Sequence, residues 1–402
     1  MSRRERIAAM ALGALLSAAS GWGCPESAPR VFLLNPQKVA AARRQVAAGN
    51  AKTPALERLR RRADRALRMA PVTVTSKPML PPSGDKHDYM SLAPYWWPDP
   101  KSKTGLPYIR RDGERNPERL KIEDHQRFDS IMSAVPDLAL AYCVFQDERY
   151  AEQAGRLLRA WFLDPATRMN PNLNYAQAIL GRTDGRGAGL IETRYFPRIL
   201  DALGLLDGAK SWTAADQKGM SDWIAQYFQW LQQSKNGRDE AKAENNHGTW
   251  YDGQVIAIAL FTGNQEQGRK MLEGERQRIA AQIKPSGQQP LELARTNAFS
   301  YSTMNLLGWF EVAMLGERAN VDLWKYQTAD ERGLQKALDY LTPFAAGEHK
   351  WPHQQIAGLD PAALAPLLAI AGDRYGSEEY RKLAEKLDAG VLLEPEVYFS
   401  LP

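Results

Sequence analysis

From about His125 onward, apolar residues recur at intervals of three and four, the period of a helix with one face turned to a core. The runs "FDSIMSAVPDLALAYCVF" (128–145) and "ERYAEQAGRLLRAWFL" (148–163) predict a helical pair joined by a polar turn at Gln146–Asp147, and Asp164–Pro165 stops the second member. The same period predicts helices over 214–232, 247–261, 267–283, 297–315, 331–346, 361–371 and 377–387. Before them, 35–49 and 53–69 read as two amphipathic helices, the arginines between Arg58 and Arg68 forming the solvated face of the second. Alternating strand patterns are almost missing. Paired helices with short turns and no fixed-period repeat predict an all-α architecture, an (α/α) toroid of irregular helical hairpins in one domain over 25–402.

Two stretches break the rhythm. Residues 71–117 are rich in proline yet crowd Tyr89, Tyr95, Trp96 and Trp97 together, which fits an ordered active-site loop better than disorder. Residues 169–192 mix Asn, Pro and Gly before helical texture returns near Glu192. In a toroid such loops gather at one end of the ring, over a groove.

The N-terminus has a basic start, an apolar run from Ile7 to Leu16 and then small residues, the pattern of an export signal over 1–24. That run is too short for a permanent membrane helix, and no later stretch approaches the roughly 20 apolar residues a span requires. The expected location is the periplasm, with secretion or a lipid anchor on Cys24 as alternatives. Cys143 is the only other cysteine and is expected as a buried free thiol. The formal charge of +5 includes +2 from Arg3, Arg4 and Arg6 less Glu5, leaving +3 for the remainder. So mild a balance speaks against nucleic-acid binding and remains compatible with a local positive groove for an acidic polymer.

Candidate chemistry sits in two stretches, "AENNHGTWYDGQ" (243–254) and "LELARTNAFSYSTMNLLGWF" (291–310). They combine amides, an imidazole, a guanidinium and a phenol. A uronic-acid polymer can be cut without water if the C5 proton is removed and the C4 oxygen leaves. That requires the neighbouring carboxylate to be neutralised, a base at C5 and an acid at O4. Asn246, His247 and Arg295 can neutralise. Tyr301 can serve as base, provided positive charge lowers its pKa, and then as acid when proton and leaving oxygen share a face of the sugar, as in D-mannuronate and D-glucuronate. In L-guluronate they do not, and His247 is the natural second proton carrier. Six residues on one helix would put Arg295 and Tyr301 about 120° apart, so the helix is expected to start between them, near Thr296 or Asn297. Asn245, Trp250 and Tyr251, with Tyr89, Trp96 and Trp97 of the loop, are the expected substrate contacts. Taken singly, each has a plainer role as a cap, a core aromatic or loop packing. His349 and His353 have the spacing of helix-borne metal ligands but enclose Pro352 and lack a third ligand, so no metal or cofactor is expected.

With "KHDYMSLAPYWWPDP" (86–100), "WFLDPATRMNPNLNYAQ" (161–177), "NNHGTWYDGQ" (245–254) and "ELARTNAFSYSTMNL" (292–306), the chain resembles the alginate lyase family of polysaccharide lyases, whose members are α/α toroids. The resemblance implies Asn246 and His247 as groups on the carboxylate side, Tyr301 as acid and base, Arg295 as its activating or substrate-binding partner, and Lys86 in the groove. It implies a polyuronate partner, alginate or glucuronan. Two other readings compete. A toroidal glycoside hydrolase needs two carboxylates, for which Asp124, Asp129, Asp184, Glu192 and Glu244 are available. A non-catalytic carbohydrate-binding protein needs only the groove.

Overall fold

The computed structural model describes residues 28–401. The two helices expected first are α1 (Pro36–Ala47) and α2 (Pro54–Ala66), each opened by a proline behind a capping residue, Asn35 or Thr53, whose side chain accepts backbone N–H groups. Then come α3 (Asp124–Phe145), α4 (Glu148–Leu158), α5 (Phe196–Leu206), α6 (Ala214–Gln233), α7 (Lys235–Ala241), α8 (Asn246–Phe261) and α9 (Gln265–Gln282). The chain finishes with α10 (Pro290–Leu293), α11 (Ala298–Arg318), α12 (Leu334–Ala345), α13 (Ala365–Arg374), α14 (Glu378–Leu387) and α15 (Pro395–Tyr398).

Helices α3, α5, α8, α11 and α13 pack in succession as an inner ring, while α4, α9, α12 and α14 each lie against the inner neighbour next to them in sequence. Composition decides which is which. Every residue of α8 from Gly248 to Phe261 is buried, so it has no polar face to turn outward, whereas α14 buries only Tyr380 and Ala384. The ring is an α/α toroid. It closes where α2 meets α15: the Asn35 N–H donates to Phe399 O at 2.6 Å, and Arg58 and Arg62 pair with Glu394 at 2.6 and 3.0 Å.

Three expectations need correction. Helix α7 was not legible, because it is polar on most of its length, and the helical texture expected from near Glu192 becomes α5 only after a 3-10 turn over Gly187–Thr193. Helix α3 is long and apolar enough to cross a membrane, contrary to the reading that nothing after the signal comes close, but it is mostly buried beneath α1, α2, α4 and α5. Cys143 is buried on α3 and disulfide-bonded rather than a free thiol. The predicted signal and Cys24 lie outside the described residues.

The two irregular stretches are folded onto each other at one end of the ring. Strand β1 (Met90–Leu92) pairs in parallel with β4 (Tyr175–Ala178), and β2 (Trp96–Trp97) pairs antiparallel with β3 (Ile109–Arg110). Lys77 Nζ, wholly buried, meets the equally buried Asp124 at 3.0 Å. Removing either partner would strand a charge at a cost of about 3–5 kcal/mol. Tyr89 and Ser91 donate their hydroxyls to one oxygen of Glu192 at 2.8 and 2.6 Å. These bonds fix the loop of 71–117 as a rigid rim.

Candidate active site

A cleft of about 770 Å³ opens where the rim loops meet the N-terminal ends of α8 and α11, within the size range of ligand sites. Tyr301 lies in the first turn of α11, and Arg295 lies on the entering segment, as the angular argument required. Arg295 Nη2 donates to the Tyr301 hydroxyl at 2.8 Å, and its guanidinium carbon sits 3.7 Å from the centre of the tyrosine ring. The Tyr301 hydroxyl in turn donates to Tyr95 Oη at 2.8 Å.

Asp112 holds this arrangement. Its carboxylate accepts from Arg295 Nε at 3.0 Å and Nη2 at 2.7 Å, and from the Thr296 N–H at 3.2 Å. The next residue, Gly113, has φ +77°, and a Cβ there would lie 2.3 Å from Thr296 Oγ1, so only glycine lets the loop settle on the entry to α11. Burial alone would raise the Asp112 carboxyl, but the hydrogen bonds from Arg295 and Thr296 overcome it and hold the group well below the usual carboxylate range.

Tyr301 behaves otherwise than expected. Burial first, and then the Tyr95 hydroxyl, push its pKa well above that of free tyrosine, and Arg295 only partly opposes them. Positive charge is present, but it does not lower the phenol below its ordinary value in the ligand-free state.

The second set of groups stands at the start of α8. His247 Nδ1 lies 2.6 Å from Oε1 of the buried Glu240, which α7 supplies. Donation of the Nδ1 proton to that carboxylate leaves Nε2 as the nitrogen available for chemistry. Asn245 caps α8 by accepting from the His247 N–H at 3.3 Å, and its side chain lines the cleft. Asn246 is wholly buried: its N–H and Nδ2 donate to the two oxygens of Glu292 at 2.6 and 2.7 Å. It fixes the helix start from behind the cleft, and Asn245 occupies the lining position expected of it.

Of the predicted contacts, Trp96 also lines the cleft. Tyr89 and Trp250 are buried in the core, the first bonded to Glu192 and the second edge-on to Tyr195, while Tyr251 donates to Leu231 O; none of the three is a surface a sugar can touch. Trp97 packs the loop, its indole N–H on Glu114 O and its ring under Arg111. Lys86 is exposed outside the cleft lining, and its carbonyl accepts from Lys77. What sequence reasoning missed is the cationic lining. Arg110, Arg115, Arg119, Arg186 and Arg194 join Arg295, against Glu192 as the single carboxylate among the described residues of the lining. The five are scattered between residues 110 and 194, on either side of α3 and α4, and carry no motif. His125 lines the cleft as well, with Nε2 3.4 Å from Asp129.

The profile of the alginate lyase family matches residues 73–351. A crystal structure of an alginate lyase from Bacteroides ovatus is similar at 37% identity and a TM-score of 0.87, covering 92% of this chain and 99% of that one. Alginate lyase A1-III bound to a tetrasaccharide, as a histidine-to-alanine variant, is similar at 15% identity and a TM-score of 0.56 over 90% of this chain and 91% of its own. The same enzyme from Sphingomonas species A1 gives 15% and 0.52, over 90% and 92%. These last two bear on the fold alone. No curated protein matches in sequence.

Proposed function

Because the chain belongs to the alginate lyase family and is by that membership a polysaccharide lyase, we propose that it cleaves a polyuronate by β-elimination, leaving a C4–C5 double bond on the new non-reducing end. The observation that carries the reading is the Tyr301–Arg295 contact inside a cleft lined by six arginines and one carboxylate. A hydrolase would need two acids flanking the bond. Asp124 is instead buried against Lys77, and Glu192 is committed to Tyr89 and Ser91.

In this reading the uronate carboxylate is neutralised by Asn245 and His247, which makes the C5 proton acidic enough to remove. Tyr301 reacts as the phenolate, its own proton released to solvent, takes the C5 proton as the C4–O4 bond breaks, and returns that proton to O4. Arg295, pinned by Asp112, stabilises the phenolate and is not free to bind substrate. One phenol performs both transfers only when C5–H and O4 share a face, which favours mannuronate or glucuronate polymers over guluronate. The signal-like segment 1–24 supports export to the periplasm, where such polymers would be met.

The test is ultraviolet absorbance of unsaturated uronate during incubation with polymannuronate, polyguluronate and glucuronan separately. A rise on the first or third is expected. Release of reducing ends with no absorbance would overturn the reading in favour of a hydrolase.

A further inference from the structure

Arg186 differs from the other arginines of the cleft in how it is held and in what it lacks. Its Nη2 donates to Gln177 Oε1 at 2.6 Å, and among the described residues its Nε is buried with no partner and it makes no ion pair. The acids nearest in charge are Glu192 and Glu240, and each is occupied, the first by Tyr89 and Ser91 and the second by His247. Arg110, which also faces it, is paired with Asp112. Burial pulls the Arg186 guanidinium below its ordinary pKa, those two carboxylates opposing only in part.

Its position is nonetheless built with care. Arg186 is extended, between glycines at 185 and 187 and with a third at 189. A Cβ on Gly185 would lie 2.0 Å from Asn174 O, on Gly187 2.8 Å from Asn236 O, and on Gly189 2.5 Å from the Ala176 Cβ. The strip therefore lies flush against two neighbouring segments, β4 with its approach and the start of α7. Gln177, which orients the guanidinium, has φ +51° although it carries a side chain, and its N–H is held by Ser91 Oγ at 2.8 Å. Backbone strain of this kind persists where surrounding contacts impose it, and it gathers at functional sites. An arginine fork oriented by a strained residue, lining the cleft and without a carboxylate partner among the described residues, is a receptor for a planar anion.

We propose that Arg186 binds the carboxylate of the sugar adjoining the one that is cleaved, so that the enzyme requires two consecutive uronates. Its substrate is then a polymer of contiguous uronates, and a polymer in which acidic and neutral sugars alternate is excluded. The inference rests on the polyuronate lyase reading above and narrows it.

The experiment compares wild type, R186Q and R186K on uronate oligomers and on the same oligomers with neighbouring carboxyls reduced to hydroxymethyl groups. For R186Q the expected result is a KM at least about tenfold higher with kcat within about twofold, the signature of lost ground-state binding, and a smaller rise for R186K. Wild type should suffer the same KM penalty on the reduced oligomer, and R186Q no further one. An unchanged KM in R186Q, or penalties that add when variant and reduced oligomer are combined, would overturn the proposal. If R186Q does not fold, wild type against the reduced oligomer and R186K with an unaltered melting temperature decide the same point. If wild type forms no unsaturated product from any polyuronate, the lyase reading fails by itself. Calorimetric affinities of wild type and R186Q for the oligomers then decide separately, equal values rejecting the contact and weaker binding by R186Q supporting it.

Discussion

The two walls of the cleft are built on opposite principles. On the wall made by the 95–113 loop and the entry to α11, hydrogen-bonding groups are matched within the protein: Asp112 pairs with Arg295, and the Tyr301 hydroxyl both accepts and donates. On the wall made by residues 177–194, groups are left wanting, with Arg186 Nε and Arg194 Nε buried and unpartnered. A saturated wall is preorganised and does not need the substrate to complete it, which suits groups that must act on a proton at fixed geometry. An unsaturated wall is completed by the ligand, which suits groups that select it.

The contrast can be broken most forcefully at Tyr301. If the saturated wall carries the chemistry, Tyr301→Phe should lower kcat by about a thousandfold or more, as loss of an acid–base group does, with KM hardly moved in steady-state assays. Retention of turnover would remove Tyr301 from the role. Next in size is Asp112→Asn, which unpins Arg295 from the tyrosine; displacement of a catalytic group by about 1 Å can cost roughly a hundredfold, and the loss should again fall on kcat. A smaller effect, about tenfold in kcat/KM, is expected from Glu240→Gln, which removes the carboxylate that fixes the His247 tautomer. Full activity there would mean the imidazole is held by its position on α8 alone. The finest test is pH. Burial and Tyr95 raise the Tyr301 pKa, so the fraction of base form grows as pH rises, and kcat/KM should climb through the alkaline range. Tyr95→Phe removes a contribution that raises the phenol, and should move that alkaline limb toward lower pH. A limb that stays in place would show that Tyr95 does not govern the proton.

Much of this was legible in the chain. The inner helices were readable because burial on all sides or one forces an apolar period, and the start of α11 between Arg295 and Tyr301 followed from helix geometry alone. The aromatic residues misled for a physical reason: Tyr89 and Trp250 satisfy the same preference for large, partly polar rings in a core that they would satisfy against a sugar. Asn246 and Asn245 are neighbours of one type, and only the fold decides that Glu292 takes the first and the cleft the second. Asp112 was invisible because its partner Arg295 lies 183 residues away, whereas Glu240 and Arg186 lie near their partners His247 and Gln177 but carry no motif that shows the chain folding back on itself there.

The closure of the ring between α2 and α15 has a consequence in time. Arg58 reaches the carbonyl of Gly390 across 332 residues, and Asn35 pairs with Phe399. Loop-closing contacts of that span are slow to form and come late. During synthesis the first two helices can pack on α3 early, and only their contact with α15 must wait for the rest of the ring. Ring closure therefore waits for α15 and the residues leading into it, and without them Arg58 would lose Gly390 O and Glu394.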